Sequence, residues 1–228
     1  MSLVTDPSPM TESLAPAEPT ALAARPTQSP APVEAPGDRP YAVTADTFHA
    51  MIEAEVFPEE ARVYLQDGRI YEKMAKTQPH SMTGGILVNS LVRRAPDGYL
   101  LLPEGQFRLD EWNNKLPDLA LIRCDDPRGR VHSGEPLKAA DIRLAIEIAV
   151  TSLAKDLGVN LERYARALIP NYWVVDVLGR RLFVHTDPQI IDGRGTYTKL
   201  DLVISGGAFT LLLEGQEAIP FAYEDLMA

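Results

Sequence analysis

Two carboxylates occupy positions where a sheet core is normally apolar. Asp118 directly precedes the apolar run 119–122, and Glu147 lies in the middle of the apolar run 144–150. Charged carboxylates are rarely buried without a partner. Two carboxylates that are brought together repel each other unless a cation or a shared proton lies between them. These two acids are therefore the first candidates for chemistry.

The residues beside Glu147 indicate room for a metal ion. Side chains alternate along a strand, so the small residues Ala145 and Ala149 share the face of Glu147. Hard cations such as Mg²⁺ bind carboxylate and water oxygens, often through one or two acids and a substrate phosphate. Such an ion activates water and stabilises the charge that develops in phosphodiester cleavage. The alternative is structural: Glu147 pairs with an arginine or faces solvent from an edge strand.

The elements that would position these acids alternate between helices and strands. The Asp67-Gly68 turn predicts a hairpin over residues 62–72. Helices are predicted before it, capped by Thr44 or Asp46, and after it, with Pro79 in the first turn. Further predictions are central strands at 99–102, 106–109, 117–123 and 143–150, a surface loop at 124–141, a crossover helix between 150 and 172, and later strands at 172–177, 181–185, 196–204 and 209–213. The predicted class is α/β, a mixed central β-sheet flanked by helices.

Composition divides the chain into a tail and a folded part. Residues 1–40 contain nine of the 19 prolines and no aromatic residue, which predicts a disordered Pro/Ala-rich tail before a folded domain at 41–228. The single cysteine, Cys124, excludes an intramolecular disulfide and a thiolate zinc site. No apolar stretch approaches the roughly 20 residues of a membrane-spanning helix, so we expect a cytoplasmic protein without membrane contact. The net charge of -10 argues against passive, metal-independent binding of nucleic acid.

The order of these motifs resembles the PD-(D/E)XK nuclease superfamily, and more narrowly its Uma-type restriction endonucleases. The resemblance is carried by Pro117-Asp118, by Glu147 on the next strand, by a helix with Tyr164, and by the Asn-Tyr-Trp-Val-Val-Asp strand at 171–176. It implies a restriction-endonuclease-like core and a metal-dependent DNA endonuclease that hydrolyses phosphodiester bonds. Mg²⁺ or Mn²⁺ would be held by Asp118 and Glu147. DNA would be a transient partner, and a homodimer is a candidate assembly because many double-strand cutters need two active sites.

One charged position departs from the pattern. The superfamily places a lysine two residues after the second acid, here Ala149, and Uma-type proteins place it four residues before the helix tyrosine, here Asn160. Asn160 thus stands among the catalytic positions, but an amide cannot supply the charge of an ammonium. A regular helix turns about 100° per residue, so Lys155 should point away from Asn160. The sequence therefore predicts a weakened enzyme without a cation at this position.

The remaining candidate residues follow from the same resemblance, except Asp156, which helical spacing places on one stripe with Asn160 and Tyr164. They line the implied site: His80, Gln106, Ser152, Asp156 and Tyr164. For His80 a site-lining and a structural role stay equally open. The alternative function is a catalytically inactive binding or regulatory protein with the nuclease fold. Three features favour this alternative: the missing lysine, the acidic net charge, and Tyr64, which stands where the family commonly has an acid.

Overall fold

A six-stranded mixed β-sheet forms the centre of the fold. The computed structural model describes residues 40–227. The predicted tail therefore lies, apart from Pro40, outside the described residues, and its disorder and the boundary at Tyr41 stay predictions. None of the helices within residues 40–227 is long and apolar enough to cross a membrane.

Helical segments and strands alternate along the chain. The α-helices are α1 (Ala45–Glu53), α2 (Gln78–Val92), α3 (Pro127–Ser133), α4 (Leu153–Lys155) and α5 (Leu161–Arg166), with a π-helical turn at Asp156–Asn160 and 3₁₀ turns at Ala139–Asp141 and Tyr223–Asp225. The strands are β1 (Val63–Gln66), β2 (Arg69–Glu72), β3 (Tyr99–Pro103), β4 (Phe107–Arg108), β5 (Asn114–Lys115), β6 (Leu119–Arg123), β7 (Ile142–Ala149), β8 (Asn171–Asp176), β9 (Arg181–Ile191), β10 (Arg194–Val203), β11 (Ala208–Leu211) and β12 (Ile219–Ala222).

The central sheet has the strand order β10-β9-β8-β7-β6-β3. Strands β7 and β8 run parallel, and the other neighbouring pairs are antiparallel. A parallel pair needs a crossover connection, and the helical segment from α4 to α5 supplies it between β7 and β8. The predicted α/β class, mixed sheet and crossover helix are confirmed.

A second sheet, β2-β1-β5-β4, carries the predicted hairpin. Its tip is formed by Asp67 (φ 49°) and Gly68 (φ 70°) between β1 and β2. Two consecutive left-handed residues form the type I′ turn that matches the twist of a hairpin. A side chain at position 68 would also place its Cβ 2.9 Å from the Cβ of Ala42. The turn therefore needs glycine for its backbone conformation and for the space around it.

The two faces of the central sheet bury different kinds of residue. Leu144, Ile146 and Ile148 of β7 join the core around Trp173, which helix α2 covers with Leu87 and Leu91. Ala145 and Ala149 point to the other face and pack with two tyrosines, Tyr164 of α5 and Tyr172 of β8. The predicted alternation along β7 is confirmed. Glu147 therefore lies on the small-residue face, beneath the crossover helix.

Three sequence predictions about the fold are wrong. Residues 106–109 were expected in the central sheet, but only Phe107–Arg108 is a strand, and it belongs to the second sheet. The expected surface loop at 124–141 contains α3, because Asp126 caps it by accepting from the Gly129 N–H. The hairpin partner of β11, strand β12, was missed. It contains Pro220, which lowers the strand signal.

Candidate active site

Asp118 is held at the entrance of β6 by three donors. Strands β6 and β7 pair as far as Leu119 and Ile146. Just past that last pair, the Ile148 N–H donates to Oδ2 of Asp118 at 2.8 Å. His80 Nε2 approaches the same oxygen at 3.0 Å, and Lys73 Nζ donates to Oδ1 at 2.8 Å. Burial raises the pKa of Asp118, but the His80 hydrogen bond and the Lys73 charge outweigh it and hold this pKa well below its usual range.

Glu147 is 5% exposed and shares the Lys73 ammonium with Asp118. Its Oε1 accepts from the Tyr164 hydroxyl at 2.8 Å, and its Oε2 lies 3.5 Å from Lys73 Nζ. Burial raises the pKa of Glu147 to about 7, with help from the charge of Asp118 and against the charge of Lys73. Glu147 therefore exchanges its proton near neutral pH, whereas Asp118 stays ionised.

The cation that neither Ala149 nor Asn160 supplies comes from Lys73, which the sequence analysis did not consider. This lysine directly follows β2, and its N–H donates to the Arg62 carbonyl at 2.7 Å, so its backbone continues the hairpin pairing. Burial lowers the pKa of Lys73, but attraction to Glu147 and Asp118 dominates and raises it well above its usual value. The ammonium thus comes from the second sheet, a source that the spacing along β7 and the crossover helix could not indicate.

Asn160 contacts another lysine that the sequence analysis missed. Lys115 is 3% exposed, and its Nζ donates to Asn160 Oδ1 and to Gln66 Oε1, both at 2.9 Å. The ammonium also lies 4.8 Å from the centre of the Tyr64 ring, within the range of a cation–π contact. Burial lowers the pKa of Lys115 to about 7, although the charge of Glu147 opposes the shift. An amine that exchanges its proton near neutral pH therefore lies beside position 160.

The crossover helix orients the remaining site residues through its π turn. Asn160 Nδ2 donates to Asp156 Oδ1 at 2.8 Å, and Ser152 Oγ donates to Asp156 Oδ2 at 2.5 Å. Burial raises the pKa of Asp156 despite both hydrogen bonds. Lys155 was expected to point away, but its Nζ lies 3.0 Å from the Tyr64 hydroxyl and lines the same cleft as Asn160. The 100° spacing behind that expectation does not apply across a π turn, whose hydrogen bonds run from i to i+5.

A cleft of about 410 Å³ contains most of the predicted residues. Its wall includes Asp118, Glu147, Asn160, His80, Ser152 and Asp156, together with Arg62, Tyr64, Lys73, Lys76 and Lys155. Tyr164 lies fully buried behind Glu147. Gln106 lies elsewhere: its Nε2 donates to the Val63 carbonyl at 2.7 Å, and it lines another cavity beside Phe57. Arg163 also points away, toward Asn113 and Asp67.

The donor set of the cleft fits a hard divalent cation. Among the described residues, no group of three or more His, Cys, Asp or Glu side chains has the geometry of a metal site. Mg²⁺, however, is typically bound by one or two carboxylates, waters and substrate phosphates rather than by an all-protein cage. Asp118 and Glu147, which face one ammonium between them, meet that lower requirement.

Comparisons with known proteins identify the family of the chain. A crystal structure described as "a putative nuclease belonging to DUF820 from Anabaena variabilis" has a TM-score of 0.47 and 18% sequence identity, over 71% of this chain and 84% of that one. No curated protein matches the chain. The family "Uma2: Putative restriction endonuclease" matches residues 45–212. This range contains both acids, the hairpin and the crossover helix, and the chain belongs to the Uma2 family.

Proposed function

We propose that this protein is a metal-dependent DNA endonuclease that hydrolyses phosphodiester bonds with Mg²⁺ or Mn²⁺. The family to which the chain belongs is described as one of restriction endonucleases. The observation that carries the proposal is the pair of buried carboxylates, Asp118 and Glu147, within reach of a single ammonium in a polar cleft. Burial of such a charged group lowers the folding stability of a protein that gains nothing else from it, and the two carboxylates suit a hard cation.

Two carboxylate oxygens are the candidate ligands. Oδ2 of Asp118 is engaged by the Ile148 N–H and His80, and Oε1 of Glu147 by Tyr164. Oδ1 of Asp118 and Oε2 of Glu147 face Lys73 of the cleft wall instead, so Asp118 and Glu147 would hold the metal from this side. When bound, Mg²⁺ or Mn²⁺ would lower the pKa of a bound water and provide positive charge beside the phosphodiester.

The protein's own groups hold the acids in place and attract the substrate. His80 and the Ile148 N–H fix the orientation of Asp118, and Tyr164 fixes that of Glu147. Lys155 lies at the cleft against the Tyr64 hydroxyl and forms no salt bridge with an acid among residues 40–227. Its charge is therefore available for a DNA phosphate even though the chain carries a net charge of -10.

Three features favour the alternative, a binding or regulatory protein without activity: Tyr64, the acidic net charge, and the absence of a lysine at position 160, which argued against a cation in the site. Lys73 beside the carboxylates and Lys115 beside Asn160 weaken that argument. The homodimer and the cytoplasmic location stay predictions.

Relaxation of a supercoiled plasmid tests the proposal. The purified protein should nick the plasmid in the presence of Mg²⁺ or Mn²⁺ but not in EDTA. Asp118→Ala should lower the rate by about 100-fold or more. Asp125→Ala is the matched control, since this exposed carboxylate pairs with Arg123 away from the cleft, and it should cut like the wild type. Equal nicking by wild type and Asp118→Ala rules out the site. Absence of cleavage by the wild type with either ion favours the inactive alternative.

A further inference from the structure

The Lys73 ammonium lies where a divalent cation would have to bind. Its Nζ is 2.8 Å from Asp118 Oδ1 and 3.5 Å from Glu147 Oε2, and no other lysine or arginine of the described chain forms a salt bridge with either acid. Opposite charge held between two carboxylates relieves their mutual repulsion. Lys73 therefore plays, within the protein itself, the electrostatic part that a bound metal would play.

All four carboxylate oxygens already have a donor. The Ile148 N–H and His80 engage Oδ2 of Asp118, and Tyr164 engages Oε1 of Glu147. The Ile148 N–H is part of the backbone, and Tyr164 is fully buried and packs against Tyr172, so neither donor can move aside easily. The two oxygens that remain both face Lys73. A cation that binds both of these oxygens therefore meets the Lys73 ammonium, which already lies between them.

Lys73 is able to leave without disturbing the fold. Its backbone is tied to Arg62 by the hairpin hydrogen bond, but its side chain is 20% exposed and lines the open cleft. A lysine side chain is flexible, and its three donors can be satisfied by water or by a phosphate as well as by carboxylates. The neighbouring Lys76 lines the same cleft but pairs with Glu104, at 3.2 Å, and forms no salt bridge with Asp118 or Glu147.

From this arrangement we propose that Lys73 is the resident counter-ion of Asp118 and Glu147, and that it competes with the divalent cation for them. Metal binding exchanges the ammonium for the ion and releases Lys73 into the cleft. The released ammonium then lies in the cleft with Lys155 and supplies the positive charge that the amide of Asn160 cannot. This inference rests on the metal site of the proposed function, but not on DNA cleavage.

Calorimetric titration with Mn²⁺ tests the competition directly. Lys73→Met keeps an unbranched side chain that is one atom shorter and removes its charge. We expect it to bind Mn²⁺ at least about tenfold more tightly than the wild type, because the ion no longer displaces an ammonium. The matched control is Lys76→Met, which removes a charge from the same cleft wall without touching the acids. Since charges that do not touch the site act only through a screened field, this control should change the affinity by less than about threefold.

The outcomes separate the inference from the proposed function. Tighter Mn²⁺ binding by Lys73→Met, but not by Lys76→Met, supports competition between Lys73 and the metal even if no variant cuts DNA. Equal effects of both variants, weaker binding by Lys73→Met, or no Mn²⁺ binding by any of the proteins overturn it. Cleavage by the wild type with unchanged Mn²⁺ affinity in Lys73→Met leaves the endonuclease proposal standing and removes this one.

A measurement on the wild type does not depend on the folding of a variant. Brief acetylation followed by mass spectrometry reports how exposed each ammonium is. Saturating Mn²⁺ should raise the modification of Lys73 several-fold and leave that of Lys199, which is 73% exposed, unchanged. In Asp118→Ala the metal should have no such effect. Modification of Lys73 that stays constant or falls with Mn²⁺ contradicts the exchange.

Discussion

Replacement of Glu147 by glutamine measures what the site costs in folding free energy. The carboxyl group is almost completely buried, and burial raises its pKa to about 7 from an ordinary value of 4.5. Glutamine keeps the shape and the acceptor for the Tyr164 hydroxyl but cannot ionise. In metal-free buffer the variant should therefore gain stability over the wild type as the pH rises above about 4.5, where Glu147 ionises in the unfolded chain.

The magnitude follows from linkage between protonation and folding. An acid whose pKa is higher in the folded protein holds its proton more tightly there, so its contribution to the unfolding free energy is fully present below about pH 4.5 and is lost as the pH rises to about 7. Each pH unit between these values corresponds to about 1.4 kcal/mol. Glu147→Gln should therefore gain about 3 kcal/mol over the wild type at pH 8 and close to nothing at pH 4.5.

Urea unfolding in EDTA at several pH values provides the assay. Glu104→Gln is the matched control, because the same substitution is expected to act in the opposite direction. Burial raises the pKa of Glu104, but the hydrogen bond from Arg62 and the charge of Lys76 outweigh it and lower the pKa overall. This variant should lose about 1 kcal/mol or less at pH 8. A Glu147→Gln variant that is less stable than the wild type at pH 8 would refute the reasoning, since ionised Glu147 would then stabilise the fold through Lys73.

Three further predictions concern the same cleft. Asn160→Lys places an ammonium against the Lys115 amine and removes the Oδ1 that accepts from it at 2.9 Å, so it should lower the unfolding free energy by about 2 kcal/mol or more; urea titration should show most of this loss restored by Lys115→Met in the same chain. Mn²⁺ affinity should fall about tenfold for each pH unit below 7, because the ion must displace the proton of Glu147, and calorimetry at pH 6 in buffers of different ionisation enthalpy should detect about one released proton. A flat profile would contradict this linkage. Tyr164→Phe removes the donor to Glu147 Oε1 and should lower the unfolding free energy at pH 8 by about 1–3 kcal/mol; no change by urea titration would show that this hydrogen bond contributes nothing.

The positions of Asp118 and Glu147 could be predicted from the sequence because local rules determine where each acid lies on its strand. Period-2 alternation puts Glu147 on the face of β7 opposite to that of its apolar neighbours. The prolyl-aspartyl pair puts Asp118 at the start of the neighbouring strand, β6. Antiparallel pairing of β6 and β7 then brings the two together. The hairpin and the crossover helix followed from equally local signals, an Asp-Gly turn and a long segment between two strands.

The cations were missed because their positions depend on how one sheet packs against another. Lys73 follows a hairpin strand and Lys115 lies on a two-residue strand, and in sequence either lysine is typical of a solvated surface. Only the packing of the second sheet beside the central one brings them to Asp118 and Asn160. Pattern arguments along a single element cannot provide a contact of that kind. The misjudged direction of Lys155 has a different cause, the assumption of uniform helical spacing.

The π turn at Asp156–Asn160 has a consequence for how this site tolerates change. A turn closed from i to i+5 holds one residue more than an α-helical turn, and Gly158 within it is exposed, with open space where a side chain would begin. Loss of that single residue would let the helix continue as a regular α-helix, but Ser152 and Asp156 would be rotated relative to Tyr164. The alignment of Ser152 and Asp156 with Tyr164 thus depends on the number of residues in this turn, so a one-residue deletion would disrupt it while every side chain of the site remained in the chain.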